Sequence, residues 1–197
     1  MSKFLDYNGL QHYDDKIKTN IGAVANTGVK NYLDYTLANL VSWNNHPTLM
    51  SWNNNVCTIS DGTNSITFTY NNDASITVDG KGISGGAYFK LCNNLRTRLT
   101  IGTTYILSGC TTGSGSTYGI YTGNGNEWIS ITGPTPHTYQ DNINNEIYIF
   151  VRYDVTVSEL TFYPMITEQT IYQISPDYQS HYKNVISPTD IDTIWNS

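Results

Sequence analysis

Leu160-Thr161-Phe162-Tyr163-Pro164-Met165-Ile166 is the stretch on which the fold turns. In an extended chain Leu160 and Phe162 fall on one side and Thr161 and Tyr163 on the other, while Pro164 lacks the N–H that an interior ladder needs. The pattern predicts an edge or last strand closed by the proline. The chain before it must then supply strand partners, and the chain after it is the way out of the fold.

Partners are easy to find upstream. Ile147, Ile149 and Val151 alternate with Tyr148, Phe150 and Arg152; because both sets are bulky, this strand is expected to be central and covered on both sides, or to floor a groove. Ile66, Phe68 and Tyr70 alternate, Asn71-Asn72-Asp73 turns the chain, and Ile76 and Val78 alternate before Asp79-Gly80, which is a hairpin signature. Further short runs lie at 87–92, 104–110, 118–121 and 128–131. Some eight short strands with turn residues between them predict a mainly β fold, an antiparallel two-sheet jelly-roll sandwich.

Two helical appendages are expected. Leu10, Tyr13, Ile17, Ile21 and Val24 recur at helical spacing, Asn26-Thr27-Gly28 interrupts, and Val29, Leu33, Leu37 and Leu40 resume it. Residues 1–40 therefore read as an N-terminal helical segment, packed on its own domain, forming an oligomeric stalk through that seam, or ordered by a partner. Residues 41–64 read as a linker and first strand, and 65–185 as the sandwich. Ser187-Pro188-Thr189-Asp190 has the make-up of a helix start, so 186–197 reads as a small C-terminal helix with Ile191, Ile194 and Trp195 on one face.

Composition narrows the function classes. Only 13% of the 197 residues are charged, and Asn, Thr, Ser, Gly and 16 Tyr carry the polar surface. The net charge is −6; residues 1–40 hold four basic and four acidic side chains, whereas 41–197 hold six basic and twelve acidic. Phosphate binding needs clustered positive charge, so neither nucleic acid nor an anionic membrane is an expected partner. Cys57, Cys92 and Cys110 show no CxxC spacing and are expected as buried thiols. The opening Met1-Ser2-Lys3-Phe4-Leu5-Asp6 is charged where a signal peptide is apolar, which predicts synthesis in the cytoplasm without a leader.

No enzyme is expected. Gly113-Ser114-Gly115 lacks dinucleotide-loop spacing, and Gly115-Ser116-Thr117-Tyr118-Gly119 has Thr where a nucleophile elbow needs Ser. His12, His46, His137 and His181 are too scattered for metal-ligand spacing, so no metal or cofactor is expected. Glycoside hydrolysis needs two facing carboxylates, and Glu127, Glu146, Asp154 and Glu159 are not placed as a pair by sequence.

Sugar binding is easier to support, since it uses aromatic rings against a pyranose face plus Asn, Asp and Arg for hydroxyls. Tyr118, Tyr121, Asn124, Asn126, Glu127 and Trp128 offer both in one Gly-rich hairpin, with Arg152 and Tyr148 on a neighbouring strand. The candidate carbohydrate site is thus Tyr118, Tyr121, Asn126, Trp128 and Arg152. The bland alternative makes Trp128 and Tyr118 core residues and Tyr121 an ordinary strand tyrosine.

Several stretches carry a resemblance. Residues 65–69, Asn72-Asp73-Ala74-Ser75-Ile76-Thr77-Val78-Asp79-Gly80, Thr104-Tyr105-Ile106-Leu107-Ser108-Gly109 and the 160–166 stretch followed by Asp177-Tyr178 resemble the jelly-roll, carbohydrate-binding-module-like domain of bacteriophage and prophage tail proteins. Phe4-Leu5-Asp6-Tyr7-Asn8-Gly9-Leu10 and Ile186-Ser187-Pro188-Thr189-Asp190-Ile191-Asp192 are similar to the starts and ends of short phage structural proteins. The resemblance implies a tail-tip, baseplate or fibre component of a virion, commonly a homotrimer, contacting other tail proteins and host cell-surface glycan. A purely structural assembly protein, and a carbohydrate-active enzyme or its binding module, are the alternatives.

Overall fold

The computed structural model describes residues 31–42, 48–92, 95–122, 133–140, 146–173 and 176–178. These residues are mainly β, with few helices. In chain order they form α1 (Leu37–Ser42), β1 (Met50–Asn53), β2 (Val56–Ser60), β3 (Ser65–Tyr70), β4 (Ile76–Lys81), β5 (Ala87–Cys92), β6 (Thr104–Ser108), β7 (Tyr118–Thr122), β8 (Thr135–Thr138), β9 (Ile147–Val151), β10 (Thr156–Phe162), β11 (Met165–Glu168) and α2 (Gln169–Tyr172). The pairings make one five-stranded sheet, β1-β2-β3-β4-β10, and two three-stranded sheets, β11-β6-β8 and β5-β9-β7. Every pairing is antiparallel.

Alternation places the core. Ile66 and Phe68 of β3, Ile76 and Val78 of β4 and Phe162 of β10 are fully buried, as are Ile147, Ile149 and Val151 of β9. The rings of Phe68 and Phe89 stack at 4.7 Å with planes 5° apart, tying the five-stranded sheet to β5. Tyr118 meets Phe162 edge-on at 6.4 Å, tying β7 to β10. Burying a Phe side chain stabilises by roughly 1.5–3 kcal/mol, with about 0.5–1.5 kcal/mol more from a well-placed aromatic pair.

The 160–166 stretch differs from its expectation in one respect. Phe162 is buried and Thr161 faces away, with its hydroxyl 3.1 Å from that of Thr77. β10 is an edge strand of its sheet, but Pro164 does not end the pairing: Met165 resumes it as β11, against β6. Tyr163 and Pro164 form the elbow where the chain crosses from one sheet to another, and there the missing N–H has no ladder to break. Gly109, at φ +97, touches the elbow so closely that a Cβ would stand 1.8 Å from the Tyr163 carbonyl oxygen.

Two strands precede the expected start of the sandwich, since β1 and β2 both belong to the five-stranded sheet. The Asn-rich 53–55 turn gives the reason: Asn54 takes φ 54, which Asn tolerates better than most residues. β8 also lies outside the expected strands. It carries Pro136, as an edge position allows.

Among the described residues, the helix expected through residue 40 is seen only at α1. Residues 31–36 are extended, and Asn31, Leu33 and Tyr35 point inward at period two. Asn31 Nδ2 donates to the Pro164 carbonyl at 3.0 Å, and its Oδ1 accepts from Ile166 N at 3.1 Å and Leu33 N at 2.9 Å. Tyr32 N donates to Ile166 O at 2.7 Å. This segment lies along β11 on the side away from β6, so tertiary hydrogen bonds override a helical spacing of leucines. The Tyr35 hydroxyl donates to Ala74 O at 2.5 Å, and that of Tyr178 to Asp73 O at 3.2 Å. The chain before β1 and the chain after α2 thus meet on the same β3–β4 turn.

Leu33 and Leu40 are buried in the domain's own core and Leu37 is half-buried. Leu10, Tyr13, Ile17, Ile21, Val24 and the expected helix at 186–197 lie outside the described residues.

Candidate functional site

β9 is the central strand of its sheet, as the bulk of both its faces suggests. Its inward side is apolar, and its outward side carries Tyr148 and Phe150. Registration with β5 sets Tyr88 opposite Phe150 and Lys90 opposite Tyr148; registration with β7 sets Gly119 opposite Phe150 and Tyr121 opposite Tyr148. Two rows therefore cross the sheet: Tyr88, Phe150, Gly119 and Lys90, Tyr148, Tyr121.

The rings form one connected surface. Tyr88 and Phe150 lie 4.9 Å apart with planes 38° apart. Tyr121 meets Phe150 edge-on at 5.1 Å, and Tyr88 meets Tyr148 edge-on at 6.0 Å. Tyr88 is 42% exposed, the most open of the set. Gly86, at φ +88, makes room beside it, because a Cβ there would stand 2.7 Å from Phe150 Cε2.

A charged cluster abuts this surface. Lys90 Nζ contacts Glu146 Oε1 at 2.6 Å, with side chains 8% and 29% exposed, and sits 5.7 Å from the centre of the Tyr148 ring. The Tyr148 hydroxyl donates to Glu146 Oε2. Burial alone would raise the Glu146 carboxyl, but the hydrogen bonds from Lys90 and Tyr148 outweigh it and hold the group below its ordinary value of 4.5. Burial first, and then Glu146, push the Tyr148 phenol well above its usual range. Tyr121 is also raised, by burial and then by Tyr88.

The other outward face differs in chemistry. On the five-stranded sheet, Thr58 pairs across to Thr67, Thr67 to Asp79, and Thr69 through Thr77 to Thr161. That face is hydroxyl-rich; the outer face of β5, β9 and β7 carries the rings.

The proposed site residues separate. Tyr121 belongs to the aromatic face. Tyr118 packs against the core through Phe162, in agreement with the bland alternative for that residue. Arg152, exposed and one position past β9, continues the alternation of Tyr148 and Phe150. Asn126 and Trp128 lie outside the described residues, together with Asn124 and Glu127. Sequence reasoning misses Tyr88, Lys90 and Phe150 as site residues, and considers Glu146 only as a hydrolytic carboxylate. Among the carboxylates considered for hydrolysis, Glu146 is bound to Lys90 and Tyr148, and Asp154 contacts Lys81 at 2.6 Å in the open. Among the described residues no group of three His, Cys, Asp or Glu side chains is placed to hold a metal ion.

No family model, no curated protein and no solved structure matches this chain.

Proposed function

We propose that this chain is a non-enzymatic structural protein of a bacteriophage or prophage tail whose domain is a two-sheet jelly-roll sandwich binding host cell-surface carbohydrate. Residues preceding the domain serve attachment or trimerisation within the virion. The observation that carries the carbohydrate reading is the aromatic outer face of β5, β9 and β7, where four rings and a polar cluster meet on rigid strands. A pyranose offers C–H bonds to such rings and hydroxyls to the polar groups beside them. The jelly-roll reading is supported by the antiparallel pairing throughout and by the way successive strands from β4 to β6, and from β9 to β11, change sheets.

The test is titration of host cell-wall polysaccharide against the protein and its Tyr88→Ala and Tyr121→Ala variants. Each ring contributes about 1 kcal/mol, so each variant is expected to bind about fivefold to tenfold more weakly with unchanged circular dichroism. Undiminished binding by the double variant overturns this placement. Absence of binding to any polysaccharide, with capture of purified tail proteins, supports the assembly alternative instead.

A further inference from the structure

We infer that the aromatic face selects neutral, hydroxyl-rich glycans over anionic ones, with Glu146 as the specificity-determining residue. The inference rests on the carbohydrate reading above and adds the ligand's charge class and the side chain that sets it. A lysine on an outward-facing row would ordinarily present its ammonium to solvent and attract acidic sugars or phosphate. Here Lys90 keeps only 8% of its side chain exposed and is held by Glu146 at 2.6 Å. Its charge is neutralised at the place where an anion would need it.

Lys90 has two further N–H donors, but with 8% of its side chain exposed it offers a ligand little, so the capacity nearest the surface is of the accepting kind. Glu146 takes one bond on each oxygen, from Lys90 and from Tyr148, and each carboxylate oxygen has a second lone pair. Tyr148 has committed its only O–H to Glu146, so its oxygen faces a ligand as an acceptor. Glu146 is the more exposed partner, at 29%, and is the one a ligand reaches. An array of acceptors beside aromatic rings suits vicinal hydroxyls, which donate, and repels carboxylate, sulfate or phosphate. The net charge of −6 adds a long-range field of the same sign. Arg152 is exposed one residue past β9, beyond Phe150, and does not border the Lys90–Glu146 pair in strand register.

A buried ion pair is weak support for stability, because desolvation offsets most of its attraction. Replacing both partners is therefore compatible with a folded domain, which makes the pair testable. The experiment uses a glycan array holding neutral oligosaccharides and their uronic, sulfated and phosphorylated counterparts, probed with the wild type, Glu146→Gln and the double variant Lys90→Met/Glu146→Gln. The wild type is expected to bind neutral members, with little change on raising salt. Glu146→Gln leaves Lys90 charged without its counter-ion, so neutral ligands should weaken about tenfold while acidic members gain. The double variant should lose that gain while remaining folded by circular dichroism.

A wild type that prefers acidic glycans overturns the inference and leaves the carbohydrate reading standing. So does a Glu146→Gln variant that weakens neutral and acidic ligands alike. No binding to any member, with the protein folded, overturns both.

Discussion

Replacing Asn31 by Ala tests whether the segment ahead of β1 is part of the domain. The residue is 1% exposed, and its side chain hydrogen-bonds, among the described residues, to Pro164 O, Ile166 N and Leu33 N. Ala removes all three. The Pro164 carbonyl retains a second lone pair and loses little, but the amides of Ile166 and Leu33 are left as donors in residues that are both 0% exposed. A buried donor without a partner costs about 1–3 kcal/mol, and two of them, partly relieved by water entering the space, give about 3 kcal/mol. With a urea dependence of about 2 kcal/mol per molar for a domain of this size, the midpoint should fall by about 1.5 M. Leu33→Ala, at a fully buried site, should cost about 2–5 kcal/mol by the cavity it leaves. The two losses should not add, because both act on one short segment. The assay is equilibrium urea unfolding followed by tryptophan fluorescence at two protein concentrations. Midpoints unmoved by both substitutions would refute the claim that residues 31–35 are built into the domain; losses that vanish on dilution would place the contact between copies instead.

Three single positions give further expected outcomes. Gly109→Ala puts a Cβ 1.8 Å from the Tyr163 carbonyl oxygen at a backbone φ of +97, so the β10–β11 elbow must shift; a loss of about 3 kcal/mol is expected, read as a lower thermal midpoint. Asp61 accepts the amides of Thr63, Asn64 and Ser84, with Ser84 the largest influence, and these hold its carboxyl below 3.8. Its contribution is therefore present above that value and is lost as pH falls from there through the lower folded value; thermal midpoints across the acid range should show an inflection that Asp61→Asn lacks. Burial pushes the Cys57 thiol from 9.0 up to about 12, so the folded state holds a neutral thiol that the unfolded chain ionises. Stability should fall as pH rises from 9.0 toward that value, Cys57→Ala should remove that component, and a thiol reagent should reach Cys57 only on unfolding.

How much of the fold is legible in the sequence depends on how far each signal reaches along the chain. The β3–β4 hairpin is local: alternation on either side of Asn71-Asn72-Asp73 specifies both strands and their pairing. β9 is legible as central for the same reason, its two bulky faces lying within five residues. At residues 31–35 two local signals compete. Leu33, Leu37 and Leu40 suit a helix, whereas Asn31, Leu33 and Tyr35 suit an extended chain, and contacts with Pro164 and Ile166, more than a hundred positions away, decide for the second. The 160–166 stretch shows its alternation and its break, but not that pairing resumes at Met165 with a strand some sixty residues earlier. In the candidate site, parity already separates Tyr118 from Tyr121, because residues three apart on a strand face opposite ways. Once 118–121 reads as a strand, grouping both tyrosines in one surface contradicts that reading, and the structure places Tyr118 against Phe162 and Tyr121 against Phe150. The remaining members need a register that no local pattern contains: Tyr88 becomes a neighbour of Phe150, and Lys90 of Tyr148, only because β5 pairs with β9 across an intervening run that includes β6, β7 and β8. The ring-bearing face is thus half visible as the outward side of β9, and its extent, its charge balance and the role of Glu146 come from strand order.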